Sequence, residues 1–220
     1  MAVTSWEDSI KKTKSLTVFP SSKLSASWLA ALKTSITAFN ALSLNVQFSI
    51  PTGAKEIPPD GEDGSEVQFS MGRGTITYEA HGTKFTLKDS AGVPVAFSGT
   101  GLHGSTQTVK RSFGGPHLIR RAFITVPDKP QMSAPGGSRD AGANILNFIA
   151  FHELIHATGL SNDEHSQTGP NADAFTIFPT ADAGKTSKTD RMILNSNPPR
   201  IFAPPLTIGP RVTGLINGNW

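Results

Sequence analysis

The sequence predicts an α+β fold that combines a mixed, twisted β-sheet, a long N-terminal helix, a second, buried helix and an irregular C-terminal part. Residues 25–41 place apolar side chains at helical spacing, which is typical of a helix with one buried face. Short segments between residues 45 and 126 alternate apolar and polar side chains, as half-buried strands do. Residues 145–151 are apolar on nearly every face, which favours a helix enclosed by the rest of the fold.

Length and composition favour one globular domain. We divide the 220 residues into a leader (1–24), a part with helix, sheet and buried helix (25–160), and a loop-rich C-terminal part (161–220). The net charge of +3 is small and its Lys and Arg residues are scattered, so no nucleic-acid partner is expected. No apolar run is long enough for a membrane span. The absence of cysteine excludes disulfides and thiolate metal sites.

The N-terminal part predicts a strand, a helix and a second strand, in that order. Residues 1–24 are interpreted as a polar leader with a short strand at 16–19 and without the long apolar run of a signal peptide. Residues 45–50 alternate cleanly and predict the second strand. The helix at 25–41 has one apolar stripe, which consists of Leu29, Leu32, Ile36 and Phe39.

The middle of the chain predicts a β-meander, then a loop and a further strand. Residues 51–65 are rich in Pro, Gly, Asp and Glu and predict a polar loop, and the Gly/Ser/Thr-rich residues 99–115 predict another. Residues 118–126, set between two prolines, predict a strand. The strands of the meander are expected at 67–71, 76–80 and 85–87.

A loop at 128–139 is expected to lead into the buried helix, predicted at 141–158 with Asp140 as its N-cap. Gly159 can end this helix, because glycine readily adopts the positive φ that a helix stop requires. Residues 161–210 are mostly turn-forming, and residues 211–220 predict a short final helix.

The buried helix carries His152, Glu153 and His156 in the pattern HExxH. Histidines four residues apart lie on one face of a helix, one turn from each other, so their imidazoles can bind one metal ion. From its place beside His152, the carboxylate of Glu153 can reach a water on that metal and act as general base. The pattern therefore predicts a zinc site of the hydrolytic kind.

Because three fixed letters in five also occur by chance, the alternative is an ordinary helix with two histidines and a surface glutamate. Burial of the helix argues against it, since an unpaired neutral polar group costs about 2–7 kcal/mol when buried. The chain after Gly159 also supplies candidate third ligands, namely Asp163, Glu164 and His165.

We expect His165 to be the third ligand, because a catalytic zinc ion usually takes three protein ligands. Gly159 lets the chain reverse, and the residues that follow, at about 3.3–3.6 Å each, have ample reach to return to the metal. Asp163 and Glu164 are rivals, since carboxylates bind zinc well and either can instead orient a ligand histidine. A further alternative is a distant aspartate, such as Asp173 or Asp182.

Residues 152–159, HELIHATG, resemble the HExxHxxG segment of the metzincins, a group of zincin metallopeptidases. The resemblance implies a zincin-like fold, a zinc cofactor and a methionine turn beneath the metal, for which Met192 is the candidate. In metzincins the third ligand lies three residues after the glycine. That position here holds Asn162, a weak neutral ligand, so the chain departs from the family pattern.

Residues 151–165 are also similar to metallopeptidase domains found at the C-terminal end of phage-like and type VI secretion spike proteins. This resemblance implies an antibacterial effector toxin, secreted by a signal-peptide-independent route, that acts in the periplasm of a target bacterium. The implied partners are a protein or peptide substrate, a secretion-spike protein and a cognate immunity protein.

The expected activity is peptide-bond hydrolysis, with strand 118–126 as the edge strand that pairs with an extended substrate. Tyr78, His103 and His117 are candidate donors to the oxyanion. Two other functions also fit the motif: a zinc hydrolase of a cell-wall amide, and a non-catalytic binding module braced by zinc. Glu153 argues against the module, since a purely structural site needs no carboxylate beside an open metal position.

Overall fold

The computed structural model describes residues 3–57, 63–80, 83–86, 88, 92–102, 104–111, 117–134, 137–160 and 206–220. Within these residues the chain combines four helices with one mixed five-stranded sheet and three two-stranded sheets. The prediction of an α+β fold with a mixed sheet is confirmed at this level. No helix in these ranges is both long and apolar enough to cross a membrane.

The two long helices agree with the sequence patterns. Helix α2 begins after Ser25, whose hydroxyl accepts a hydrogen bond from the backbone N–H of Trp28, as an N-cap residue does. Its stripe residues Leu32, Ile36 and Phe39 are buried. The bounds of the helices are α1 Asp8–Lys11, α2 Ala26–Ala41, α3 Ala143–Ala157 and α4 Pro210–Asn219.

The large sheet has the strand order β2-β1-β3-β9-β8. Its first four strands run parallel, and β8 runs antiparallel to β9 at one edge. The strands are β1 Ser15–Pro20, β2 Gln47–Ser49, β3 Val67–Gly72, β4 Gly74–Thr75, β5 Thr77–Ala80, β6 Thr83–Thr86, β7 Ala96–Phe97, β8 Ser105–Arg111, β9 Leu118–Pro127, β10 Gln131–Ala134 and β11 Gly137–Asp140.

Both faces of the large sheet are covered. On one face, alternate residues of β3 and β9, among them Phe69 and Ile124, pack into the main core with helices α2 and α3. On the other face, Phe123 packs with Ile57 and Ile76 in a smaller cluster. Covered faces are typical of a largely parallel sheet, and they explain why Gln68 is also buried, where its side-chain oxygen accepts from the backbone N–H of Ile57.

The N-terminal segment is part of the fold rather than a polar leader. Trp6 is fully buried in the main core, and the predicted strand at 16–19 is found as β1 in the large sheet. The sequence suggested a leader because charged residues dominate residues 7–14. The buried contact depends on a single tryptophan, which sequence periodicity cannot detect.

The predicted meander at 67–87 is only partly correct in its pairing. The antiparallel pairing of its second and third strands is found, whereas the pairing of its first strand with its second is wrong. Strand β3 lies in the large sheet between two parallel neighbours, while β5 pairs antiparallel with β6, and β4 with β7. Alternation identified most of these strands correctly, but it carries no information about which strand pairs with which.

Two predicted loops contain strands. Within 99–115, residues of β8 pair with β9, and within 128–139, β10 and β11 form an antiparallel pair. Asp140 therefore ends a strand, and the N-cap of helix α3 is Gly142. Gly, Ser and Pro content suggested loops, but backbone pairing with a neighbouring strand overrides that weak local preference. The final helix is found close to its predicted position, as α4.

Candidate active site

The HExxH motif lies on helix α3, which is largely buried. Eleven of its fifteen residues are buried, as its all-round apolar sequence predicts. It lies against helix α2, where the Ser35 hydroxyl donates to the backbone oxygen of Asn147 at 2.7 Å. Glu153 and His156 are buried, and His152 is half-buried. The three polar side chains of the motif are therefore held on a rigid element with little contact with solvent.

The two imidazoles of the motif face each other. His152 Nε2 and His156 Nε2 are 3.1 Å apart, and the ring centroids are 4.8 Å apart. His156 Nδ1 lies 2.8 Å from the backbone oxygen of Leu160, which can only accept a hydrogen bond. His156 Nδ1 therefore carries a proton, and in the neutral ring Nε2 presents its lone pair toward His152.

This arrangement fits a zinc ion. Two nitrogen ligands at about 2.0–2.1 Å from one ion, at the tetrahedral angle, lie about 3.3 Å from each other. The observed separation of 3.1 Å is close to that value, although an imidazole–imidazole hydrogen bond has a similar length. The bond from His156 Nδ1 to a backbone carbonyl is also a contact that metal-binding histidines commonly make with their second ring nitrogen.

The turn after α3 builds that outer contact. Gly159 has φ 109°, as predicted for the residue that ends the helix. A Cβ at this position would lie 2.2 Å from the backbone oxygen of Thr4, so the approach of the N-terminal segment also requires glycine. The reversal at Gly159 brings the oxygen of Leu160 back to His156, and thereby fixes the orientation of one imidazole.

The N-terminal segment and helix α4 hold the same end of α3. The last carbonyls of a helix have no partner within it, and a buried helix end needs other donors. Trp6 Nε1 donates to the oxygen of Ala157 at 2.9 Å, and Trp220 Nε1 donates to that of Thr158 at 3.1 Å. The backbone N–H of Thr4 donates to the oxygen of Gly159 at 2.9 Å.

Glu153 lies between helix α3 and the edge strand β8. Its carboxylate oxygen Oε2 accepts a hydrogen bond from the hydroxyl of Thr106 at 2.7 Å, and only 4% of its surface is exposed. Gly104, just before β8, lies so close that a Cβ there would be 2.5 Å from Glu153 Cγ. Sequence reasoning missed both residues because it assigned this segment to a loop, although Thr106, Thr108 and Val109 form a β-branched cluster that favours a strand.

The structure leaves the third ligand open. His165, Asp163 and Glu164 lie outside the described residues, as does Met192. In the ranges that are described, no three His, Asp or Glu side chains come together in a group that could hold a metal ion. His152 and His156 are thus the two predicted ligands whose geometry is known.

The oxyanion candidates fall into two groups. His103 lies outside the described residues, and so does the side chain of Tyr78. His117 is exposed and precedes the start of β9, whereas Thr106 pairs with Ile124, seven residues further along that strand. At about 3.3 Å per residue this separation is roughly 23 Å, which is too far for His117 to contact the motif.

Comparison with known proteins gives no further assignment. The chain matches no protein-family model, and no curated protein was found to be a relative.

Proposed function

We propose that this protein is a zinc-dependent endopeptidase. The proposal is carried by the juxtaposition of the His152 and His156 Nε2 atoms, 3.1 Å apart, with the buried carboxylate of Glu153 on the next residue of the same helix. His152 and His156 would hold the ion, with His165 as the third ligand and Asp163 or Glu164 as its rivals. The resemblance of residues 152–159 to the metzincin segment supports the same reading.

A zinc ion held by these residues would supply a Lewis acid and would lower the pKa of a nearby water toward about 7. Glu153 accepts the proton of the attacking water and then donates it to the departing amine. His156 Nδ1 keeps its proton and donates it in a hydrogen bond to the backbone oxygen of Leu160, so that Nε2 stays available as a ligand. Burial of Glu153 and His156 strengthens the electrostatic interactions among these groups.

The position of β8 at an edge of the sheet favours a peptide as the substrate. Strand 118–126, predicted to be the edge, is β9 and is covered on both sides, by β3 and β8. The edges of the described sheet are β2 and β8, and β8 also contacts Glu153 through Thr106. An extended peptide that added a strand beside β8 would lie next to the motif, because Thr106 on β8 contacts Glu153. Such main-chain pairing needs no particular side chains on the peptide.

We further propose that the protein is a secreted antibacterial effector that acts in the periplasm of a target bacterium, delivered with a secretion-spike protein and neutralised by an immunity protein. The support is the resemblance of residues 151–165 to effector metallopeptidase domains. The cysteine-free chain is compatible with an oxidising compartment.

Digestion of casein and of a cell-wall preparation by the zinc-loaded protein and its Glu153→Gln variant tests the peptidase proposal. Casein should be cleaved, and the variant should retain zinc and fold but lose about 10²–10⁴-fold in rate, since it lacks the general base. Release of cell-wall fragments without casein cleavage would transfer the proposal to an amide hydrolase. Inactivity on both substrates with zinc bound would favour the zinc-braced module.

A further inference from the structure

We propose that Thr106 is a positioning residue that holds the carboxylate of Glu153 from the edge strand β8. The inference rests on the proposed function, because it deepens the role of Glu153 as general base. It assigns a task to β8 beyond contact with substrate: this strand and helix α3 meet at one carboxylate, and each determines part of its orientation.

The hydroxyl of Thr106 has two acceptors on the same residue. Its Oγ1 lies 2.7 Å from Glu153 Oε2 and 3.1 Å from the backbone oxygen of Glu153. A hydroxyl has one hydrogen, and an ionised carboxylate is the stronger acceptor, so the hydrogen points to Oε2 while Glu153 is ionised.

Gly104 restricts the same carboxylate by shape. The three atoms nearest to a Cβ built on Gly104 all belong to the Glu153 side chain, with Cγ at 2.5 Å, Oε1 at 2.6 Å and Cδ at 2.7 Å. The backbone of Gly104 does not have a positive φ, so glycine is not required there for backbone conformation. The glycine instead leaves the volume that Glu153 occupies.

Together the two residues restrict the side chain of Glu153 from the side of β8. Thr106 holds Oε2 by a hydrogen bond, and Gly104 lies against Oε1 and the carbon atoms that carry it. Positioning matters for a general base, because a misplacement of about 1 Å can cost roughly 10²-fold in rate. Thr106 need not contact the substrate for this effect, since it acts through Glu153.

The first test compares Thr106→Val and Thr106→Ser in the zinc-loaded protein. Valine keeps the shape but loses the hydroxyl, so kcat should fall by about 10- to 100-fold, the size of one hydrogen bond to a charged group. KM and zinc content should stay at their wild-type values, and serine should restore kcat. Thr213→Val is the matched control, because it removes a half-buried hydroxyl that donates to the oxygen of Gly209 on α4, and kcat should not change.

The second test does not depend on activity. Gly104→Ala should lower the free energy of unfolding in the wild-type background, because the new methyl group would displace Glu153. In a Glu153→Ala background the same change should be nearly neutral, since the displaced atoms are gone. An equal cost of Gly104→Ala in both backgrounds would show that this glycine does not act on Glu153.

The role of Glu153 as general base and the role of Thr106 as its positioning residue can be refuted separately. Full turnover in Glu153→Gln would overturn the proposed general base, and the inference with it. An inactive Glu153→Gln together with wild-type kcat in Thr106→Val would overturn the inference alone. A positioning role predicts a lower kcat at unchanged KM. A rise in KM at unchanged kcat in Thr106→Val would therefore also contradict the inference.

Discussion

The indole of Trp6 donates its Nε1 proton to the backbone oxygen of Ala157 at 2.9 Å, although 151 residues separate the two in sequence. This hydrogen bond joins the N-terminal segment to the last residue of helix α3, one position after His156. Trp6 is fully buried and lies with its ring centroid 6.1 Å from that of Trp220. The orientation of the end of α3 that carries His156 therefore depends on residues from both ends of the described chain.

Replacement of Trp6 by phenylalanine should destabilise the protein and weaken zinc binding. The change leaves the oxygen of Ala157 buried without its donor, which costs about 1–3 kcal/mol, and it loosens the helix end that carries His156. Trp28→Phe is the matched control, because Trp28 is equally buried and donates to the oxygen of Pro127 at 2.8 Å, on strand β9 rather than on helix α3. Chemical denaturation and zinc titration measure both effects. Equal zinc affinity in the two variants would show that Trp6 does not influence zinc binding.

Gly159→Ala should be strongly destabilising, by more than about 2 kcal/mol, through the mechanisms that produce large single-site effects. Alanine is disfavoured at φ 109°, and its Cβ would lie 2.2 Å from the oxygen of Thr4. Gly214→Ala serves as control, since this helical glycine has open space around it and alanine should raise stability by up to about 1 kcal/mol. Thermal unfolding of both variants is the measurement, and similar Tm values would contradict the close approach of Thr4.

The third ligand can be assigned by zinc content after dialysis. His165→Ala should lose the metal far more readily than Asp163→Ala or Glu164→Ala, because removal of a direct ligand leaves two donors where a catalytic site needs three. A carboxylate that only orients a ligand histidine should weaken affinity about 10–100-fold when removed. Retention of zinc by His165→Ala, with loss in one of the carboxylate variants, would assign that carboxylate.

Toxicity should depend on the compartment. Export of the protein to the periplasm of a susceptible bacterium should impair growth more than expression in the cytoplasm, as expected of a delivered effector. Glu153→Gln, exported in the same way, is the control for activity. If the protein is harmless in both compartments, the effector proposal is wrong, and the peptidase proposal is unaffected.

Sequence patterns located the elements that depend on local periodicity. Helix α2 with its apolar stripe, helix α3 with its all-round apolar surface and most strands were predicted within a few residues. The positive φ of Gly159 followed from its place after the last helical turn. Each of these features is determined by residues that are close together in the chain.

Features that depend on distant contacts could not be predicted in this way. The polar strand β8 owes its place to pairing with β9, and the burial of Trp6 depends on α3. For the same reason the contacts of Glu153 with Gly104 and Thr106 were missed, since the latter lies 47 residues away in sequence. The local motif identifies the candidate side chains, whereas tertiary contacts orient them.

The most direct test is a crystal structure of the zinc-loaded protein, with the metal located by anomalous scattering at the zinc edge. The account predicts one peak at about 2.0–2.1 Å from both His152 Nε2 and His156 Nε2, with a third protein ligand and an open position. Glu153 should lie beside the ion without binding it and keep its hydrogen bond to Thr106. The absence of a peak between the two imidazoles, or Glu153 as a direct ligand, would contradict the proposed site.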